Sequence, residues 1–161
     1  MNKEEQIKEW FEKNNEAMII NAFELNKNFF NIKENYLLLL HLIDRLSCEN
    51  IDIDLMRYIC LAFLVYKDKY LSTIYGGSCE ELKGTLIKKN RDYGSSFDKS
   101  VNKFGWIYVA IELDKKKNRL HSLLKNKEKP NYESIEDTLL DIAGYCVLSL
   151  IYLENKELSN D

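Results

Sequence analysis

The sequence predicts an all-α fold, a bundle of about six helices, and three observations carry that prediction. One proline and six glycines in 161 residues are too few for the frequent tight turns of a many-stranded β fold. Apolar residues recur at three- and four-residue steps along most of the chain. Start signals of the capping type, a short polar residue with an acid three positions on, precede several of these runs.

Asn2 with Glu5 opens the first helical region, which carries Ile7, Trp10, Phe11 and Met18 at helical spacing and is expected to reach Phe30, with a break near Asn14-Asn15. Asn31 with Glu34 repeats the signal, and the run Tyr36 to Ile43 predicts a deeply buried helix ending near Leu46. Ser47 to Asp52 is a connection. Asp52 or Asp54 then caps a third helix with Leu55, Ile59, Phe63 and Tyr66 on one face. Ile74-Tyr75-Gly76-Gly77 is the strongest break in the chain, after which Ser78 with Glu81 restarts a helix containing Leu82, Leu86 and Ile87. That helix is expected to end in a polar loop over residues 88–96, where Gly94 is free to take positive φ. A short segment from Phe97 to Phe104 leads through Gly105 into a long helix from Trp106 to about Leu124. Residues 125–132 form a turn around the proline, and Ser134 with Asp137 caps a last helix from Ile135 to about Leu153. Two halves are expected, residues 1–75 and 78–155, leaning on one shared core.

Hydrophobic and charged contents of 45% and 30% are those of an ordinary globular protein. A net charge of −3 and a pI near 5.5 argue against binding to duplex nucleic acid, which requires a basic face to neutralise phosphates. A small anionic ligand remains compatible, because a pocket can be basic on an acidic protein. Cys48, Cys60, Cys79 and Cys146 are scattered with no C-x-x-C pairing, as expected of reduced, packed thiols. The first residues lack the apolar core of a signal peptide, and the most apolar stretch, Met56 to Val65, is too short to span a bilayer. A cytoplasmic protein without membrane contact is expected.

The last helix is apolar nearly all round, yet Asp137 and Asp141 lie one turn apart on one stripe, with Gly144 and Tyr145 continuing it. Two carboxylates at that spacing can hold Mg²⁺, which keeps waters for a substrate phosphate. The alternative is a solvated stripe at the positive end of the helix dipole. That account suits Glu136 and Asp137 better than Asp141. In the stretch 88–96, Lys89 and Arg91 can engage phosphate, Tyr93 can stack a base, and Gly94 and Ser95 allow close backbone approach. The alternative there is a helix C-cap. Glu112, Lys115, Lys116 and Arg119 share one face of the long helix, the ordinary pattern of a solvated face. His41 and His121 stand apart from any nucleophile, so serine- and cysteine-triad mechanisms have no support.

Taken in order, Lys89-Asn90-x-Asp92-Tyr93-Gly94-Ser95, then Asn118-Arg119-Leu120, then Glu133 to Tyr145 resemble the first nucleotide modification associated domain, over about Leu86 to Leu153. That helical family is common in phages and mobile elements. It is similar in turn to all-α nucleotide pyrophosphatases of the MazG and dimeric dUTPase type, which implies a MazG-like four-helix core in the C-terminal half. By that resemblance Asp137 and Asp141 fall where metal-binding acids would be, and Asp92-Tyr93-Gly94 where a nucleotide would be gripped. The E-x-x-E and E-x-x-D helix pair of MazG-type enzymes does not stand at matching places. Lys115 and Lys116 occupy a register where related domains place an acid and then a lysine, with Asp114 one step earlier.

Fewer acids and more cations favour holding phosphate over splitting it. The expectation is therefore a nucleotide-binding protein of phage type, an anti-defence protein sequestering a signalling nucleotide without hydrolysis. In it Arg91, Lys115, Lys116 and Arg119 hold phosphates while Tyr93 or Tyr145 stacks the base. The alternatives are a Mg²⁺-dependent nucleoside triphosphate pyrophosphohydrolase, catalytic through Asp137 and Asp141 with Glu112 and Asp114 as further candidate metal ligands, and a helical scaffold. The resemblance also implies a homo-oligomer.

Overall fold

Seven α-helices account for nearly all of residues 1–28, 36–46, 51–70, 77–126 and 134–160, the parts of the chain that the computed structural model describes. They are α1 (Lys3–Asn28), α2 (Tyr36–Asp44), α3 (Ile53–Tyr70), α4 (Gly77–Tyr93), α5 (Ser96–Phe104), α6 (Ile107–Lys125) and α7 (Ile135–Asn160). No strand occurs among the described residues. The all-α prediction holds, and the seventh helix is α5, the short segment whose residues lead to Gly105.

Local chemistry explains the starts. Asn2 and Glu5 form a reciprocal capping box, each backbone N–H donating to the other's side chain at 2.9 Å. The Asp52 carboxylate accepts from the Leu55 N–H at 3.0 Å, which makes it the cap of α3. At α7 the Ser134 hydroxyl donates to Asp137 at 2.9 Å and accepts from the Asp137 N–H at 3.1 Å. Asn14-Asn15 does not break α1, because the Asn14 amide turns back to donate to the Trp10 carbonyl at 2.7 Å. The expected ends at Phe30, the Asn31/Glu34 signal, most of the 47–52 connection, the 74–76 break and much of the 125–132 turn lie outside the described residues.

Several other expectations are corrected. The helix before Gly94 runs through Arg91, Asp92 and Tyr93, so the polar loop shrinks to a tight turn at Gly94-Ser95. Gly94 adopts φ 60° and donates to the Asn90 carbonyl at 2.8 Å, a left-handed helix stop that glycine makes cheaply. Ser78 does not cap α4. Its buried hydroxyl donates to Asp68 while Lys67 Nζ reaches Glu81 at 2.7 Å, a polar tie between α3 and α4. The run in α2 is one-sided, with Leu39, Leu40 and Ile43 buried and Leu37 and His41 at the surface.

α7 is the axis of the molecule. Leu139, Ile142, Ala143, Cys146, Val147 and Leu150 leave almost no surface in water, and α7 packs on α3, α6, α4 and α1. α7 also runs on to Asn160, past the expected end near Leu153, in exposed turns with no core to cover. One contiguous core joins Ile7, Trp10 and Phe11 of α1 to Phe63 and Tyr66 of α3 and Leu82 of α4. Cys60, Cys79 and Cys146 are free, buried thiols within it, and Cys48 lies outside the described residues. No helix of the described residues is long and apolar enough to cross a membrane.

Candidate functional site

Where the C-terminal end of α4 meets α7, a cavity of about 270 Å³ opens to the surface. It exists because α4 crosses α7 at a glycine. A Cβ on Gly144 would stand 3.1 Å from the Leu86 methyl, so the two helices pack closely there. Leu86, Leu140 and Leu148 form the floor, and Lys89, Asn90, Tyr93, Gly94 and Ser95 one side.

Asp141 sits at the rim between two ammonium groups. Lys89 Nζ from α4 lies 2.5 Å from its Oδ1, and Lys116 Nζ from α6 lies 2.7 Å from its Oδ2. The Asp141 side chain is 13% exposed, Lys116 20% and Lys89 49%, so the group is partly dehydrated and Lys89 is its most exposed member. Two ammonium groups from different helices thus meet on one carboxylate beside the cavity.

The opposite wall is aromatic. Phe97 of α5, Tyr108 of α6 and Tyr145 of α7 stand edge to face or tilted, with centroid separations of 5.9, 6.3 and 6.5 Å. Tyr93 adds a largely exposed ring at the mouth. The Tyr145 hydroxyl donates to Glu112 at 3.1 Å. Burial, then the neighbouring Tyr108 and Glu112, holds the Tyr145 phenol well above the usual tyrosine range, and burial raises Tyr108 likewise. Both are neutral O–H donors and flat apolar surfaces, not bases. No His or Cys is among the residues lining the cavity.

The remaining wall comes from the other end of the chain. Lys3 of α1 lines the cavity, with its side chain only 4% exposed, and binds both oxygens of Asp98 at 2.7 and 2.9 Å. Nothing in the local sequence links Lys3 to the site. It lies within α1's capping box, directly after Asn2, and reads as an ordinary first-turn residue. Phe97, Tyr108 and Thr85 are also wall residues that the sequence does not single out.

Of the residues expected to bind ligand, Lys89, Tyr93, Gly94, Ser95 and Tyr145 line the cavity, and Lys116 reaches its rim through Asp141. The others point elsewhere. Arg91 forms a two-bond pair with Glu4 at 2.8 and 3.0 Å, and Asp92 is exposed on the last turn of α4, off the cavity lining. Lys115 pairs with Glu112 at 3.1 Å, and Arg119 is partly buried on α6 away from the lining. Helical phase explains this division. Continuing α4 through residue 93 turns Arg91 toward α1 while Lys89 and Tyr93, one turn apart, share the cavity face.

The expected Mg²⁺ set of Glu112, Asp137 and Asp141 is not brought together. Asp137 is engaged in the α7 cap, Glu112 in bonds to Tyr145 and Lys115, and Asp141 in the two lysines. Among the described residues no group of three His, Cys, Asp or Glu gathers to hold a metal ion. As placed, Glu112, Asp137 and Asp141 do not form a magnesium centre among the described residues.

Residues 89–153 match a family model described as Nucleotide modification associated domain 1. This is the family, and nearly the span, that the motifs resemble. The match begins at Lys89 and takes in most of the cavity, leaving Lys3, Thr85 and Leu86 outside it. No curated protein and no solved structure matches the chain.

Proposed function

We propose that this cavity, in the segment that matches the nucleotide modification associated domain, binds a small nucleotide and holds it without hydrolysis. The observation that carries the proposal is that Lys89, gathered with Lys116 on Asp141, lines one open cavity together with the aromatic rings of Phe97, Tyr108 and Tyr145. Lysine ammonium groups engage phosphate as point charges, and flat rings take up a base by stacking. Gly94 and the Ser95 and Ser96 hydroxyls add a turn that lets backbone approach the ligand closely.

Retention is favoured over cleavage by the engagement of the acids. A metal-assisted attack on phosphorus needs carboxylates that face a cation, and here they face lysines, a tyrosine and a helix cap. The role that suits such chemistry is sequestration of a signalling nucleotide, as an anti-defence protein of phage type would carry out in the host cytosol. A homo-oligomer is part of this proposal through the family resemblance alone.

The test is a panel of nucleoside mono-, di- and triphosphates and cyclic nucleotides, with and without Mg²⁺, followed by both thermal shift and product. The proposal expects at least one nucleotide to raise the melting temperature by mass action and to be recovered intact after denaturation. Mg²⁺-dependent release of pyrophosphate from a triphosphate assigns a pyrophosphohydrolase instead. No shift and no turnover across the panel refutes both and leaves a scaffold.

A further inference from the structure

The arrangement at Asp141 contains more than a positive rim. A carboxylate whose two oxygens each hold a different lysine, drawn from different helices, presents the pattern that two oxygens of one phosphoryl group would present. We propose that Asp141 is a built-in anion that holds Lys89 and Lys116 in place of phosphate, releases Lys89 to a ligand, and so determines how much phosphate charge the site accepts. This rests on the reading of the cavity as a phosphate-binding site.

Lys89 is half exposed and lines the cavity, so its ammonium can swing from Asp141 Oδ1 toward a ligand. Lys116 and Asp141 are more enclosed and stay together. A ligand with a single phosphate of low charge, such as a phosphodiester or a monophosphate, meets one released ammonium, with the Asp141 charge still offset by Lys116. A di- or triphosphate must place several further negative charges near the same carboxylate, where like charges in a partly dehydrated rim repel strongly. The ligand class is thus a nucleotide with one phosphate group or one phosphodiester, and the selectivity is electrostatic.

The test uses the full chain and inorganic anions, so that it stands apart from base recognition. Dissociation constants for orthophosphate and pyrophosphate are measured by calorimetry at matched ionic strength, on the wild type, Asp141→Asn and Asp141→Asn/Lys89→Met. In the wild type, pyrophosphate is expected to bind no more tightly than orthophosphate. Asp141→Asn is expected to tighten pyrophosphate by about tenfold, the scale of one charge-assisted contact, and the added Lys89→Met to remove that gain. Pyrophosphate affinity unchanged or reduced by Asp141→Asn overturns the proposal, as does the absence of anion binding in every form. If Asp141→Asn does not fold, the wild-type comparison decides alone, and pyrophosphate about tenfold tighter than orthophosphate overturns the proposal. A nucleotide panel with no ligand, beside the expected anion behaviour, refutes the nucleotide reading and leaves the masked anion site intact.

Discussion

Lys3 and Asp98, 95 positions apart, meet in a two-oxygen ion pair on the wall of the cavity. The next residue, Glu4, pairs with Arg91 on the far side of the Gly94 turn. Consecutive residues of α1 therefore fasten both flanks of the turn that joins α4 to α5. The N-terminal helix lies outside the family match, yet it fixes the shape of the site within it.

Replacing Lys3 by Met tests this clip. It leaves the Asp98 carboxylate partly buried without its ammonium, which should cost about 1–3 kcal/mol in urea unfolding. Nucleotide affinity should fall as well, because the turn carrying Tyr93 and Ser95 is released. A variant with wild-type stability and affinity would show that the pair only decorates the surface.

The second flank gives a pH signature. Arg91, and after it Lys8, hold the Glu4 carboxyl at about pKa 2, below its ordinary 4.5. A carboxylate lowered in the folded state contributes stability above its unfolded pKa and loses it as pH falls through the folded one. The contribution should be whole above about pH 4.5 and decline toward pH 2. Glu4→Gln should flatten the wild-type melting curve in that window, by an amount that added salt screens out. An unchanged slope contradicts the pairing.

At the crossing of α4 and α7, Gly144 has room for no branched side chain. A Cβ already meets Leu86 at 3.1 Å and Leu82 at 3.7 Å. Gly144→Val should force the helices apart, costing about 1–3 kcal/mol and reshaping the cavity floor. Gly144→Ala should be far milder, since a leucine methyl can give way. Equal losses in the two variants, read by chemical denaturation, would show that overpacking is not the cause.

Tyr145→Phe removes the hydroxyl that Glu112 accepts while keeping the ring. A stability loss of about 0.5–1.5 kcal/mol is expected, with ligand binding reduced little, because stacking needs only the aromatic face. A loss of binding as large as that of a Tyr145→Ala variant would assign the hydroxyl itself to the ligand.

The helices were legible because their signals are local. Asn2/Glu5, Asp52 and Ser134/Asp137 bond as their spacing predicts. The end of α4 was misjudged because Arg91-Asp92-Tyr93 reads as polar loop, whereas a helix fastened to α1 through Arg91 tolerates that composition. Lys89, Tyr93, Gly94, Ser95 and Tyr145 were recognisable as a cluster of residue types that bind nucleotides, and they do share one cavity. What Asp141 faces was not recognisable. Its spacing from Asp137 suggests a shared cation, but the partners that decide its role, Lys89 and Lys116, arrive from two other helices. Lys3 was invisible for the same reason.

The most direct test of the central claim is a calorimetric titration of the full chain with the most stabilising nucleotide, with and without Mg²⁺, followed by mass analysis of the recovered ligand. A saturable site is predicted that does not depend on Mg²⁺, weakens by about tenfold or more in Lys89→Met, and returns the nucleotide intact. Binding indifferent to Lys89→Met, or Mg²⁺-dependent conversion of the nucleotide to a shorter phosphate, contradicts it.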